Sequence, residues 1–344
     1  MRLPGLSRSS ALSAASGLSL SGLSLSGLSL SGLSLSGLVL SGVRASVRRM
    51  RVGIIILPTD RWPEQRDRWR RAEEYGFDHA WTYDHLTWDP LADHPWGATV
   101  PALVAAATVT TRIPLGPWVA SPNFRHPVPF ARELAALDDV SGGRAVLGIG
   151  AGGTGGDARV LGQAPLPPGD RAARLEEFVE LLDRVLTTPV TDHAGRFYTA
   201  AGARTLLPCV QRPRLPFVVA ANGPRTMRLA ARYGWGWATT GVTPRGAPDA
   251  EWWAGVAGLA VRFDEVLAAA GREPGSVRRM LSVDAATTFS LVSAAFFEDV
   301  AGRAAALGFT DVVVHWPVPG GAVYDAPESV LDDVATVLPR VRSA

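Results

Sequence analysis

The 344-residue chain carries 34 basic and 32 acidic residues, a formal net charge of +2, and one cysteine, Cys209. A single cysteine excludes an intramolecular disulfide and a cysteine-based metal cluster. No clustered basic face supports nucleic-acid binding, and no apolar run reaches the roughly 18 residues of a membrane span, so the expected compartment is the cytoplasm.

The first 49 residues differ from the rest. From Ser16 the chain repeats Ser-Gly-Leu-Ser-Leu four times, then reads Ser-Gly-Leu-Val-Leu once. A five-residue period fits neither a helix nor a strand. Serine and glycine interrupt the leucines, unlike the unbroken apolar core of a signal peptide; an Arg- and Ser-rich transit peptide is the other targeting reading. The expectation is a disordered tail or a mis-assigned start codon, with Met50 opening the folded part. Residues 1–49 hold five Arg and no acidic residue, so the remainder carries 29 Arg against 32 carboxylates, a net charge of −3. Every basic residue is Arg, a coding bias expected of a GC-rich genome.

From Met50 onward, β-rich runs alternate with helical patterns. The predicted strands are Val52–Leu57, His79–Thr82, Ile113–Val119, Ala145–Ile149, Pro216–Ala220, Trp235–Thr239, Arg279–Asp284 and Asp311–His315. The predicted helices are Glu64–Tyr75, Ala98–Thr110, Pro129–Leu137, Arg171–Leu186, Thr226–Tyr233, Trp252–Ala270, Ala294–Leu307 and Glu328–Val341. Eight strand–helix pairs predict an α/β fold, a (β/α)8 TIM barrel over residues 50–344. Gly76, Gly234 and Gly308 each read as a helix-ending C′ glycine. Two insertions break the rhythm. Residues 151–169, after the fourth strand, are Gly/Pro-rich and read as irregular. Residues 190–213, near the fifth, read as a small hairpin at Ala194–Tyr198 followed by a loop.

Barrel sites lie at the C-terminal ends of the strands. The second strand exits into Trp81-Thr82-Tyr83-Asp84-His85-Leu86-Thr87-Trp88, where Asp84 and His85 are candidate acid–base residues beside an aromatic wall suited to a flat heterocycle; a capping Asp beside a packing His is the bland alternative. The third exits into a Pro-containing loop, Trp118-Val119-Ala120-Ser121-Pro122-Asn123-Phe124-Arg125-His126-Pro127. The fourth exits into Gly148-Ile149-Gly150-Ala151-Gly152-Gly153, which matches G-x-G-x-x-G. That match lacks the following helix and the distant acidic residue of a dinucleotide site, so a Rossmann NAD(P) dehydrogenase is disfavoured and the run reads as a loop admitting a ligand to bare backbone. The fifth strand runs into Asn222-Gly223-Pro224-Arg225. Proline suits the first helical turn, and the unpaired N–H groups there, with Arg225, form a candidate phosphate site; an ordinary βα turn is the alternative. Asp84, His85, His94 and His315 lack metal-ligand spacing, so no metal is expected.

Together these residues resemble the luciferase-like flavin and deazaflavin oxidoreductases. The resemblance is carried by Ala72-Glu73-Glu74-Tyr75-Gly76-Phe77-Asp78, Asp84-His85, Thr111-Arg112-Ile113-Pro114-Leu115-Gly116, Ala131–Asp138 with Ser141-Gly142-Gly143-Arg144, Gly148–Gly152, Gly195-Arg196-Phe197-Tyr198 and Ala220-Ala221-Asn222-Gly223-Pro224. It implies a TIM barrel binding coenzyme F420, with FMN as the alternative, and a non-prolyl cis peptide near Trp118-Val119. The ring would sit among Trp88, Trp118, Val119, Ser121, Gly150, Ala151 and Gly152, and the phosphate near Ala221, Asn222, Gly223, Pro224 and Arg225. Asp84-His85-x-x-Trp88 and Ser121-Pro122-Asn123-Phe124-Arg125 look more like the F420-dependent branch. The implied activity is hydride transfer to or from a small organic substrate, with His85 stabilising the reduced ring's negative charge or relaying a proton; an FMN-dependent monooxygenase and a non-catalytic flavin-binding protein are the alternatives. Related enzymes often place an aromatic or carboxylate just after Gly-x-Gly-x-Gly. Here Gly153-Thr154-Gly155-Gly156 follows, and Asp157 is the nearest substitute. The partner set implied is a small-molecule substrate and a homodimer, without nucleic acid or membrane.

Overall fold

A computed structural model describes residues 49–153, 156–244 and 246–343; the expected tail lies outside the described residues. The β-branched and aromatic runs form strands, each followed by a helix that lays an apolar stripe on them. β1 (Arg51–Ile55) leads to α1 (Trp62–Glu74), β2 (His79–Thr82) to α2 (Thr99–Val109), and β3 (Leu115–Pro117) to α3 (Pro127–Val140). β4 (Leu147–Ile149) is followed by α4 (Gly156–Val160) and α5 (Pro168–Thr187), then by an antiparallel hairpin, β5 (Val190–Ala194) and β6 (Thr199–Arg204). The series continues with β7 (Phe217–Ala220), α6 (Pro224–Tyr233), β8 (Gly236–Thr239), α7 (Asp249–Ala269), β9 (Arg278–Ser282), α8 (Ala294–Ala306), β10 (Asp311–His315) and α9 (Val330–Ser343).

All eight predicted strands are present. They pair in parallel in the order β3-β2-β1-β10-β9-β8-β7-β4. Parallel bridges Leu115↔Ala145 and Ala120↔Ile149 join the two outer strands, with N–H···O bonds such as Ala120 to Gly148 at 2.8 Å and Gly150 to Ala120 at 2.9 Å. The ring of strands is therefore closed, as the (β/α)8 reading requires. Glycine permits the close approach at this seam: a Cβ on Gly116 would stand 1.7 Å from the Val146 carbonyl oxygen.

Two cores follow from the strand alternation. Ile55, Trp81, Val146, Val218, Met280 and Val313 fill the barrel interior. A larger cluster, including Val52, Ile54, Leu147, Phe217 and Val312, packs the outward strand faces against the helices. At the N-terminal floor, buried Asp311 receives both arms of Arg51, at 2.7 and 2.8 Å, and lies 3.2 Å from His79 Nε2.

Two sequence expectations need correction. Residues 151–169 are not wholly irregular, because Gly156–Val160 forms the short helix α4. Its side chains find tertiary partners that composition does not report. Gly76 and Gly308 have φ of +85° and +81°, as C′ glycines do, but Gly234 has φ −77°. Its reason is crowding, since a Cβ there would lie 2.5 Å from the Ala230 carbonyl oxygen.

Candidate active site

A cavity of about 720 Å³ opens at the C-terminal ends of the strands. Its wall is supplied by the exits of β2, β3, β4, β7, β8 and β9, so residues far apart in sequence converge there. A mostly apolar pocket with a few convergent polar groups is the usual form of a small-molecule site.

His85 stands in this wall, three residues beyond β2, and its Nδ1 lies 2.9 Å from Asp157 Oδ2 on α4. Asp157 Oδ1 accepts the Leu86 amide at 2.7 Å. Burial alone would raise the Asp157 carboxyl; the hydrogen bond and charge of His85, with the Leu86 and Thr87 amides, hold it below its ordinary value instead. An ionised carboxylate can only accept, so Nδ1 carries the hydrogen, and in the neutral ring Nε2 is the acceptor. Asp157 thus occupies the place at which sequence reasoning found only a substitute for the missing acid. It lines the cavity with Gly156.

Asp84 does not join this pair. It is 1% exposed, and both its oxygens are taken by Arg125, at 2.6 and 2.7 Å. It ties the exit of β2 to the loop after β3 and sets where His85 begins. Arg125 also bonds Glu133 at 2.8 Å and lies over the Phe130 ring at 4.3 Å.

The aromatic wall is present. Trp88 lines the cavity, meets Tyr83 edge-on at 5.2 Å and lies parallel to Tyr324 with centroids 6.3 Å apart. Trp118 and Val119 also line it, and the peptide bond between them is cis. Ser121, Gly150, Ala151 and Gly152 continue the lining. Gly152 has φ +80°, and a Cβ there would meet Asn123 Nδ2 at 2.4 Å.

The β7–α6 turn is only partly as expected. Ala221 and Asn222 line the cavity. The Asn222 side chain is committed within the protein: Nδ2 donates to the Gly241 carbonyl at 2.8 Å and Oδ1 accepts from Thr239 Oγ1 at 2.6 Å. Pro224 opens α6, and no side chain caps it. The amides of Arg225 and Thr226 fall among the first-turn donors that lack intrahelical partners. A Cβ on Gly223 would meet only Thr226 Oγ1, at 4.0 Å, so the backbone is bare on that side. Arg225 has a partner that the local sequence does not show. Its Nε donates to Glu176 Oε2 on α5 at 2.7 Å, and neither it nor Gly223 or Pro224 borders the cavity. In this structure its partner is thus a carboxylate 49 residues upstream.

Thr239 at the end of β8, Thr240 just beyond it and Ser282 on β9 also line the cavity. The rule that barrel sites gather at strand ends would have found them. Among the described residues, no group of three or more His, Cys, Asp or Glu side chains is placed to hold a metal, and no helix is long and apolar enough to cross a membrane.

Comparison with known proteins agrees with this architecture. The F420-dependent glucose-6-phosphate dehydrogenase of Amycolatopsis mediterranei is 34% identical over 176 residues, 49% of this chain and 51% of that protein. The 4-hydroxyprotoasukamycin monooxygenase of Streptomyces nodosus subsp. asukaensis is 34% identical over 182 residues, 50% of this chain and 46% of that protein. The chain thus spans about half the length of the curated relatives it matches. An F420-dependent secondary alcohol dehydrogenase, solved with an F420-acetone adduct, shares the fold with a TM-score of 0.71 at 17% identity, covering 86% of this chain and 99% of that one. The family model described as luciferase-like monooxygenase matches residues 39–290, well over half of the chain, and the chain belongs to that family.

Proposed function

We propose that this protein is an oxidoreductase that binds coenzyme F420 in the barrel mouth and acts on a small organic substrate. The observation that carries the reading is the His85–Asp157 pair, 2.9 Å apart, in the wall of the 720 Å³ cavity. Such a pair holds a proton at a defined atom beside a space large enough for a tricyclic ring. When bound, the deazaflavin or flavin supplies the centre that gains or loses hydride.

The chain's own residues supply the rest. Trp88 and Trp118 flank the ring space, and Val119, Ser121, Gly150, Ala151, Gly152 and Ala221 shape its backbone bed. The fit at the phosphate end rests on the uncapped start of α6 and the bare face of Gly223; orphan amides at a helix start, with the positive end of the dipole, favour an anion. His85 Nε2 accepts or returns the proton that accompanies hydride transfer, and Asp157 stabilises the charged imidazole. Asp84 and Arg125 hold the His85 segment in place.

F420 is preferred over FMN because Asp84-His85-x-x-Trp88 resembles the F420 branch and several relatives bear F420-dependent names. The monooxygenase relative supports FMN as the second reading. Titrating the purified chain with each cofactor and following fluorescence separates them. Saturable quenching by F420 with weak FMN binding is expected; tight FMN binding without an F420 response, with oxygen uptake, would reverse the assignment.

A further inference from the structure

Tyr83, the residue just beyond β2, lines the cavity two positions before His85. Its hydroxyl lies 2.8 Å from Nε2 of His315, the last residue of β10. His315 Nδ1 lies 3.0 Å from Asp284 Oδ2. Asp284 follows β9, and its two oxygens accept the Ser290 amide at 2.9 Å and the His315 amide at 2.6 Å. The His315 and Asp284 side chains are 2% and 0% exposed. Asp284 is thus held among N–H donors and acts as an accepting carboxylate. The carboxylate places the hydrogen on His315 Nδ1; in the neutral ring Nε2 then accepts, and the Tyr83 O–H donates to it. Tyr324 stacks on the imidazole with centroids 3.7 Å apart, and its hydroxyl lies 3.3 Å from that of Tyr83. The His85 ring also lies beside Tyr83, with centroids 5.9 Å apart.

We infer that Tyr83 is a second acid–base residue of this cavity, taking a proton from the hydroxyl of an alcohol or phenol substrate, with His315 and Asp284 as the residues that position it. The step is a double proton shift. The substrate O–H bond breaks and its proton bonds to the Tyr83 oxygen. The Tyr83 proton passes to His315 Nε2, and the substrate oxygen keeps the electron pair. The resulting imidazolium sits against the Asp284 carboxylate, so no isolated charge is left in the buried wall. Two proton-handling groups on one cavity allow a division of labour, His85 toward the cofactor and Tyr83 toward the substrate. This last assignment rests on the proposed redox function, because oxidation of a hydroxyl requires loss of that proton.

The test uses the full chain without cofactor and 4-nitrophenol as probe, in buffer acidic enough to keep the free probe neutral. Wild type is expected to generate nitrophenolate absorbance saturably. Tyr83→Phe should cut that signal by about tenfold or more, Asp284→Asn by roughly threefold or more, and Asp284→Glu should recover part of it. Circular dichroism and cofactor titration matching wild type show that each variant is folded. With cofactor and a hydroxylated substrate, Tyr83→Phe should lower kcat about tenfold while KM moves less than roughly threefold. A wild-type chain that leaves the probe neutral at saturation, or a Tyr83→Phe chain that matches wild type, overturns the inference. Failure of the redox reading would appear separately, as no fluorescence response to either cofactor.

Discussion

Arg125 grips Asp84 with two nitrogens, at 2.6 and 2.7 Å, and so joins the exit of β2 to the loop that follows β3. The Arg125 side chain is 13% exposed and that of Asp84 1%. Among the described residues, removing the cation would leave the buried Asp84 carboxylate without its ion-pair partner. Arg125→Ala should therefore destabilise the fold by about 3–5 kcal/mol, read as a lower urea midpoint. Asp84→Asn keeps the shape and one of the two acceptors, and leaves Arg125 its second partner Glu133, so it should cost less. Equal midpoints for Arg125→Ala and wild type would remove this pair from the account of stability.

His85 and Asp157 are expected to fail together. His85→Ala should lower turnover about tenfold or more with a smaller change in cofactor affinity. Asp157→Asn should lower kcat in the same direction, because the amide no longer stabilises the charged ring. The double variant should be little worse than the worse single one, since the two act as a unit. Steady-state kinetics across the four proteins checks this; additive losses would separate their roles.

At the phosphate end, Gly223→Val should weaken the phosphorylated cofactor more than its phosphate-free ring system, by placing a side chain where the anion approaches bare backbone. Arg225→Ala should weaken both forms about equally and only slightly, because Glu176 already holds that guanidinium. Dissociation constants for full and dephosphorylated cofactor decide the matter. A selective loss of the phosphorylated form in Arg225→Ala would show that Arg225 leaves Glu176 to read phosphate.

Glu73 provides a pH signature. It lies near the end of α1 and accepts the amides of Thr111, Arg112 and Ile113 and the Thr111 hydroxyl. Burial pushes its carboxyl up, but the Arg112, Ile113 and Thr111 hydrogen bonds outweigh that and bring it to about 2 from an ordinary 4.5. Its folded value is depressed, so its stabilisation is fully present above about 4.5 and fades as pH falls toward about 2. Glu73→Gln should lower the thermal midpoint at neutral pH and flatten the acid limb of the stability profile. An unchanged acid limb would sink this assignment.

Much of the fold was legible because strand and helix signals are local. Each of the eight barrel strands falls on a β-rich run, and Glu73 and Thr111–Ile113, which meet at the α1 and α2–β3 junctions, sit in two of the motifs that carried the resemblance. The site was legible in its positions and less so in its side-chain directions. His85 and Trp88 line the cavity, whereas Asp84, adjacent in sequence, turns to Arg125. The Arg225–Glu176 pairing was not legible because Glu176 lies on another helix, 49 residues upstream. The Tyr83–His315 contact spans 232 residues and no spacing rule reaches it. Helix α4 was hidden because glycine and proline dominate its surroundings, and only its tertiary contacts, such as Asp157 to His85, show why it forms.

The seam between β3 and β4 carries a parity. From Leu115 to Ala120 the chain takes five steps, while its partner takes four from Ala145 to Ile149. Side chains in extended backbone alternate between faces, so an odd surplus reverses which residues point inward beyond it. The inward direction of Val119 and Ser121, on either side of the outward Ala120, thus follows from one supernumerary residue in this stretch. Loop grafts and deletions in this stretch should obey an even–odd rule: removing one residue between 117 and 120 would turn the cavity's lining outward, and removing two would restore its phase.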